Sequence, residues 1–136
     1  MSHQCKAIMI HCMDFRLIEP IRKLISDLGL LNDCDVVSVA GGAGALLKRD
    51  SVSYIINHIE LSQDLHESSR VILINHLDCG AYGGSEAFKS IDEEHQVHVS
   101  DLHKAREKLL NKFKNTEVEL MLGIIEGGQV SFERVE

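Results

Sequence analysis

Short runs of uninterrupted apolar residues alternate along this chain with longer stretches in which apolar positions recur every three or four residues. Residues 6–10 and 70–75, the latter holding Val71-Ile72-Leu73-Ile74, have the uniform hydrophobicity of strands buried on both faces. Residues 35–39 and 118–125 predict two more strands. Residues 130–135 predict an edge strand, joined to its predecessor by the hairpin signal Gly127-Gly128. Helical spacing links Ile21, Leu24, Ile25 and Leu28, with a start near Pro20 and a stop at Gly29. Val52, Ile55, Ile56 and Ile59 form the apolar face of a second helix that Asp50 can cap. Residues 85–91 suggest a short helix. Residues 101–114 suggest a longer one, with Leu102, Ala105, Leu109, Leu110 and Phe113 on one side.

Strands alternating with helices predict the α/β class. The expected architecture is a single three-layer domain over residues 1–136, with a mostly parallel sheet of four strands and an antiparallel C-terminal edge strand. A length of 136 residues with 44% hydrophobic positions suits one core, and no repeat, low-complexity segment or linker interrupts it. Lys and Arg number 14 against 21 Asp and Glu, a net charge of −7, which argues against a nucleic-acid partner. The apolar runs are too short to span a bilayer, and no secretory leader opens the sequence, so the expected compartment is the cytoplasm.

In that compartment four cysteines point to thiols or metal ligands rather than disulfides. Cys12 follows the first predicted strand, and His76 and Cys79 follow the third, so all three fall at one edge of the sheet. Two thiolates and an imidazole suit Zn²⁺, and such a set leaves a fourth position open, the pattern of a catalytic site. Asp14 and Arg16, two apart, can point to one side, with Arg16 holding the carboxylate by charge-assisted hydrogen bonds. Asp14 is then either a fourth ligand or a partner to zinc-bound water. Backbone N–H groups after Cys79 would favour its thiolate form. Taken singly, each motif has an ordinary alternative: a core cysteine after a buried strand, a histidine satisfied by its neighbours. Gly41–Gly44 lacks both the dinucleotide fingerprint and the Walker lysine and suggests no phosphate cradle.

These residues resemble the β-class carbonic anhydrases. Cys12-Met13-Asp14-Phe15-Arg16 is similar to that family's Cys-x-Asp-x-Arg motif, and His76-Leu77-Asp78-Cys79 to its His-x-x-Cys. Gly41-Gly42-Ala43-Gly44-Ala45 shares only the Ala-Gly core of the family's loop, with Gly41 and Gly42 where Arg and Asn are usual. The segment from Gly123 to Val130 resembles the family's closing hairpin. The resemblance implies a zinc lyase, a carbonate dehydratase, that hydrates CO₂ reversibly to bicarbonate by zinc-bound hydroxide. It implies Cys12, His76, Cys79 and, in a resting form, Asp14 as metal ligands, and Asp14 with Arg16 as the catalytic pair. It also implies a homodimer or higher homo-oligomer. Phe15, Tyr82 and Phe88 are the candidates for an aromatic wall. The alternatives are a related zinc hydrolase acting on carbonyl sulfide or carbon disulfide, and a non-catalytic zinc protein that Asp14 closes.

The remaining candidates are expected to be structural. Cys5 and Cys34 suit packing or surface, His58 and His66 a helix surface, and His11 a strand end. His95, His98 and His103, with Glu93 and Glu94, suit a solvated helix start.

Overall fold

The computed structural model describes residues 3–136. Strands β1 (Ala7–His11), β2 (Cys34–Ser38), β3 (Arg70–His76), β4 (Glu117–Glu126) and β5 (Gln129–Val135) form one sheet in the order β2-β1-β3-β4-β5. The first four pair in parallel, and β5 runs antiparallel to β4 across the Gly127-Gly128 turn. Both turn glycines have positive φ (57° and 78°), as a two-residue turn that matches strand twist requires. This is the expected α/β architecture.

Alternate residues of the central strands feed two separate cores. Ile8, Ile10, Val71, Leu73 and Leu120 pack against helices α2 (Val52–His66) and α3 (Ile91–Lys112), through Ile55, Ile59, Leu102, Ala105 and Leu109. Ala7, Met9, Ile72, Ile74 and Met121 pack on the other face against Ile21 and Leu24 of α1 (Ile18–Asp27). Burial on both faces explains why β1 and β3 read as unbroken apolar runs. The order places a switch point between β1 and β3, where successive connections leave in opposite directions and a crevice opens beyond the strand ends.

Three local expectations are corrected. Helix α3 starts at Ile91 rather than near residue 101, because Ser90 caps it by accepting the Glu93 N–H, and Asp92, Glu93 and Glu94 complement its dipole. The short helix over residues 85–91 shrinks to a 3₁₀ turn, Ser85–Ala87. Ser51, not Asp50, precedes α2, and its hydroxyl donates to Ala45 O instead of capping.

Candidate metal centre

Cys12 is the first residue after β1, His76 the last of β3, and Cys79 precedes a 3₁₀ turn at Gly80–Tyr82. Their ligand atoms lie within 4.8 Å of one another, and all three residues are buried. The Sγ atoms of Cys12 and Cys79 are 3.8 Å apart. Two sulfurs held tetrahedrally at ordinary zinc–sulfur length would be separated by about the same distance, ~3.8 Å. His76 turns Nδ1 to Leu77 O at 2.7 Å, which leaves Nε2 facing the two thiols. That Nε2 is buried and has no hydrogen-bond partner. A buried polar atom without a partner is uncommon enough to require an explanation. Together the orphaned nitrogen and the soft donor pair fit a zinc ion.

Backbone geometry prepares the sulfurs. The Asp14 and Gly41 N–H groups point at Cys12, and those of Ala81 and Tyr82 at Cys79. The two thiols titrate as a pair: contact with Cys79 pushes the Cys12 thiol well below its usual value, while Cys12 and burial push Cys79 up. Gly123 opposite His76 makes room for the ring, since a Cβ there would stand 3.1 Å from that of His76.

Asp14 lies beside the trio, its Oδ2 3.9 Å from His76 Nε2. Arg16 holds it: Nε donates to Oδ1 at 3.0 Å, Nη2 to Oδ2 at 2.8 Å, and the backbone N–H of Arg16 to Oδ1 at 2.9 Å. The hydrogen bonds from Arg16 keep the Asp14 carboxyl ionised, pushed down to about 2. Arg16 also reaches the Asp78 carboxylate and carbonyl at 3.0 and 2.9 Å. Asp78 is a non-glycine residue at φ 57°, between His76 and Cys79. Its conformation is held by Arg16, by Ser85 N–H on its carboxylate, and by Glu94 accepting its own N–H.

Five residues that support this centre have no motif. Asn75 Oδ1 accepts the Ala43 N–H, and its amide donates to Tyr82 Oη and His98 Nδ1, both at 3.0 Å. Tyr82 Oη in turn donates to Asp101 at 2.7 Å. His98 and Glu94 are fully buried, which overturns their assignment to a solvated helix start. The signal was available: Glu94, His98, Leu102, Ala105 and Leu109 continue one helical stripe. The aromatic wall is only partly gathered. Tyr82 stacks on His98 with ring centroids 4.3 Å apart, and Phe88 lies 6.3 Å from the same ring, but Phe15 is 80% exposed. His11 Nδ1 lies 2.7 Å from Cys12 O.

The chain is similar to known proteins in both sequence and fold. A family model described as "Putative carbonic anhydrase" matches residues 2–131. An uncharacterized protein of Rickettsia bellii (strain RML369-C) is 34% identical over 131 residues, spanning 92% of this chain and 80% of that protein. Carbonic anhydrase from Streptococcus mutans superposes with a TM-score of 0.66 at 18% identity, over 99% of this chain and 84% of that one. One of two tetrameric β-carbonic anhydrases from Sordaria macrospora superposes with a TM-score of 0.65 at 15% identity, over 96% of this chain and 81% of that one. At those identities the superpositions establish the shared fold.

Proposed function

The chain belongs to this carbonic anhydrase family, as a divergent member with the β-class fold, and from that premise we propose that it hydrates CO₂ reversibly to bicarbonate as a zinc enzyme. The observation that carries the proposal is the buried, unpartnered His76 Nε2 facing two thiols 3.8 Å apart. Cys12, His76 and Cys79 would hold the ion. When bound, zinc is a Lewis acid that brings the ionisation of water down to about neutral pH.

The rest is the work of the chain's own residues. Asp14, ionised and turned toward His76, accepts a hydrogen bond from the attacking water and so fixes the direction of its lone pair. Arg16 occupies both carboxylate oxygens, which supports an open fourth position rather than one that Asp14 closes. Tyr82, Asn75 and Asp101 hold the loop after Cys79 against α3. Hydration of CO₂ asks for little more, because the substrate is small and apolar.

Met13, Phe15 and Ile18 flank Asp14 and are exposed by 65%, 80% and 68%. An apolar patch of that kind beside a site supports coverage by a second copy of the chain. No helix is long and apolar enough to cross a membrane. The free thiols at Cys5, Cys12, Cys34 and Cys79 support a cytoplasmic, reducing setting. Stopped-flow measurement of CO₂ hydration by the zinc-loaded chain between pH 7 and 9 tests the proposal. Turnover rising with pH is expected, and no turnover at any pH in that range would overturn it.

A further inference from the structure

A second group of metal-ligating side chains lies at the opposite end of the sheet. Cys5 sits just before β1, Asp35 near the start of β2, and His66 at the end of α2. Their ligand atoms again lie within 4.8 Å of one another, and all three are half-buried. Several contacts fix the arrangement. The Cys5 N–H donates to His66 O at 3.0 Å, tying the arm before β1 to the end of α2. In the parallel register Ile8 stands opposite Asp35, which brings β2 under the same arm. Ser62 Oγ donates to Asp35 Oδ2 at 2.8 Å, and His66 Nδ1 meets that oxygen at 2.7 Å. The ring of His3 lies 4.7 Å from the His66 ring, centroid to centroid.

We propose that Cys5, Asp35 and His66 form a second site for a divalent transition-metal cation of the zinc type. A thiolate, a carboxylate and a neutral imidazole balance a doubly charged ion and match its borderline softness, with a fourth position left to solvent. His66 ends α2, where the partial negative charge of the helix terminus favours a cation. The carboxylate is already positioned by Ser62, as the anchoring groups behind metal ligands commonly are. Tetrahedral zinc would set the His66 nitrogen and Asp35 oxygen ~3.3 Å apart, so this surface pair must open by roughly half an ångström. Cation uptake releases a proton from the Cys5 sulfur to solvent as the S–metal bond forms. Six residues, most of them in extended β1, lie between Cys5 and Cys12, a span of about 23 Å, so the two sites load independently.

The test counts zinc bound by the full chain at micromolar excess, by atomic emission and native mass spectrometry. Two ions per chain are expected. Cys5→Ser and His66→Ala should each lower the affinity for the second equivalent by a hundredfold or more, with an unchanged circular dichroism spectrum. Cys12→Ser should remove the other ion and leave this one; if that variant does not fold, the Cys5→Ser count on the parent background still decides. Cobalt loading supplies a separate readout, since a thiolate–cobalt charge-transfer band should survive Cys12→Ser and vanish when Cys5→Ser is added. A stoichiometry that neither Cys5→Ser nor His66→Ala alters, or a second equivalent bound only at millimolar zinc, would overturn the proposal.

Discussion

Arg16 grips Asp14 through both carboxylate oxygens, at 3.0 and 2.8 Å, while its other nitrogen holds Asp78 across the site. One guanidinium thus sets the position of the proposed water-orienting carboxylate and the strained residue between His76 and Cys79. Lysine cannot reproduce this fork, because it offers a point charge in place of planar, paired donors. Arg16→Lys is expected to retain zinc but to lower kcat/KM for CO₂ hydration by 10- to 100-fold. Metal analysis and stopped-flow kinetics on the same preparation separate the two effects. Undiminished turnover would remove Arg16 and Asp14 from the mechanism.

Gly42 is required by backbone geometry. At φ 56°, a Cβ there would lie 2.2 Å from Ile74 O, at the end of the strand that carries His76. Neither a carbonyl in a parallel sheet nor the left-handed backbone can yield cheaply. Gly42→Ala should therefore destabilise the chain by about 3 kcal/mol or more, or prevent folding. Gly80→Ala, where a Cβ meets nothing within 4 Å, should be within ~0.5 kcal/mol of the parent. Equal urea midpoints for the two variants would show that the loop relaxes.

The contrast between those glycines shows what the sequence does and does not make legible. The strands announce themselves because β1 and β3 are covered on both faces, and that coverage leaves no polar residue among Ala7–Ile10 or Val71–Ile74. Strand-end placement then brings Cys12 to His76 and Cys79 without further information. The supporting network is not legible in the same way. Asn75, Tyr82 and Asp101 become partners only once β3, the loop after Cys79 and α3 have been packed together. His98 was hidden for a different reason. Its helix opens in an acidic stretch that reads as solvated, although the first turn of α3 already turns Glu94 inward. Cys5, Asp35 and His66 are likewise far apart in sequence and have no shared spacing to mark them.

Cys79→Ser probes the ligand set directly. A hydroxyl is a much poorer zinc ligand than a thiolate. Loss of the ion bound by this centre is expected, read as one zinc fewer per chain than the parent after identical loading. A zinc content equal to the parent's would rule out Cys79 as a ligand.

His98 makes stability depend on pH. Burial pushes its imidazole down to about 4, against the opposing charges of Glu94 and Asp101 on the same helix and with a smaller contribution from His76 across the sheet. In the unfolded chain the ring titrates near its ordinary value of about 6.5, so between those values the unfolded state binds the extra proton. Stability is thus full above pH ~6.5 and falls as pH drops toward 4, by up to ~3 kcal/mol from this group. Asn75 donates to His98 Nδ1, and the Oε1 of a glutamine could accept the same bond without titrating. Urea denaturation of the parent and of His98→Gln between pH 4 and 7 isolates the effect, because acid release of metal is common to both. The two stability curves should converge toward pH 4, as the parent loses its advantage. Parallel curves across that interval would mean that the His98 ring takes up its proton in the folded chain as readily as in the unfolded one.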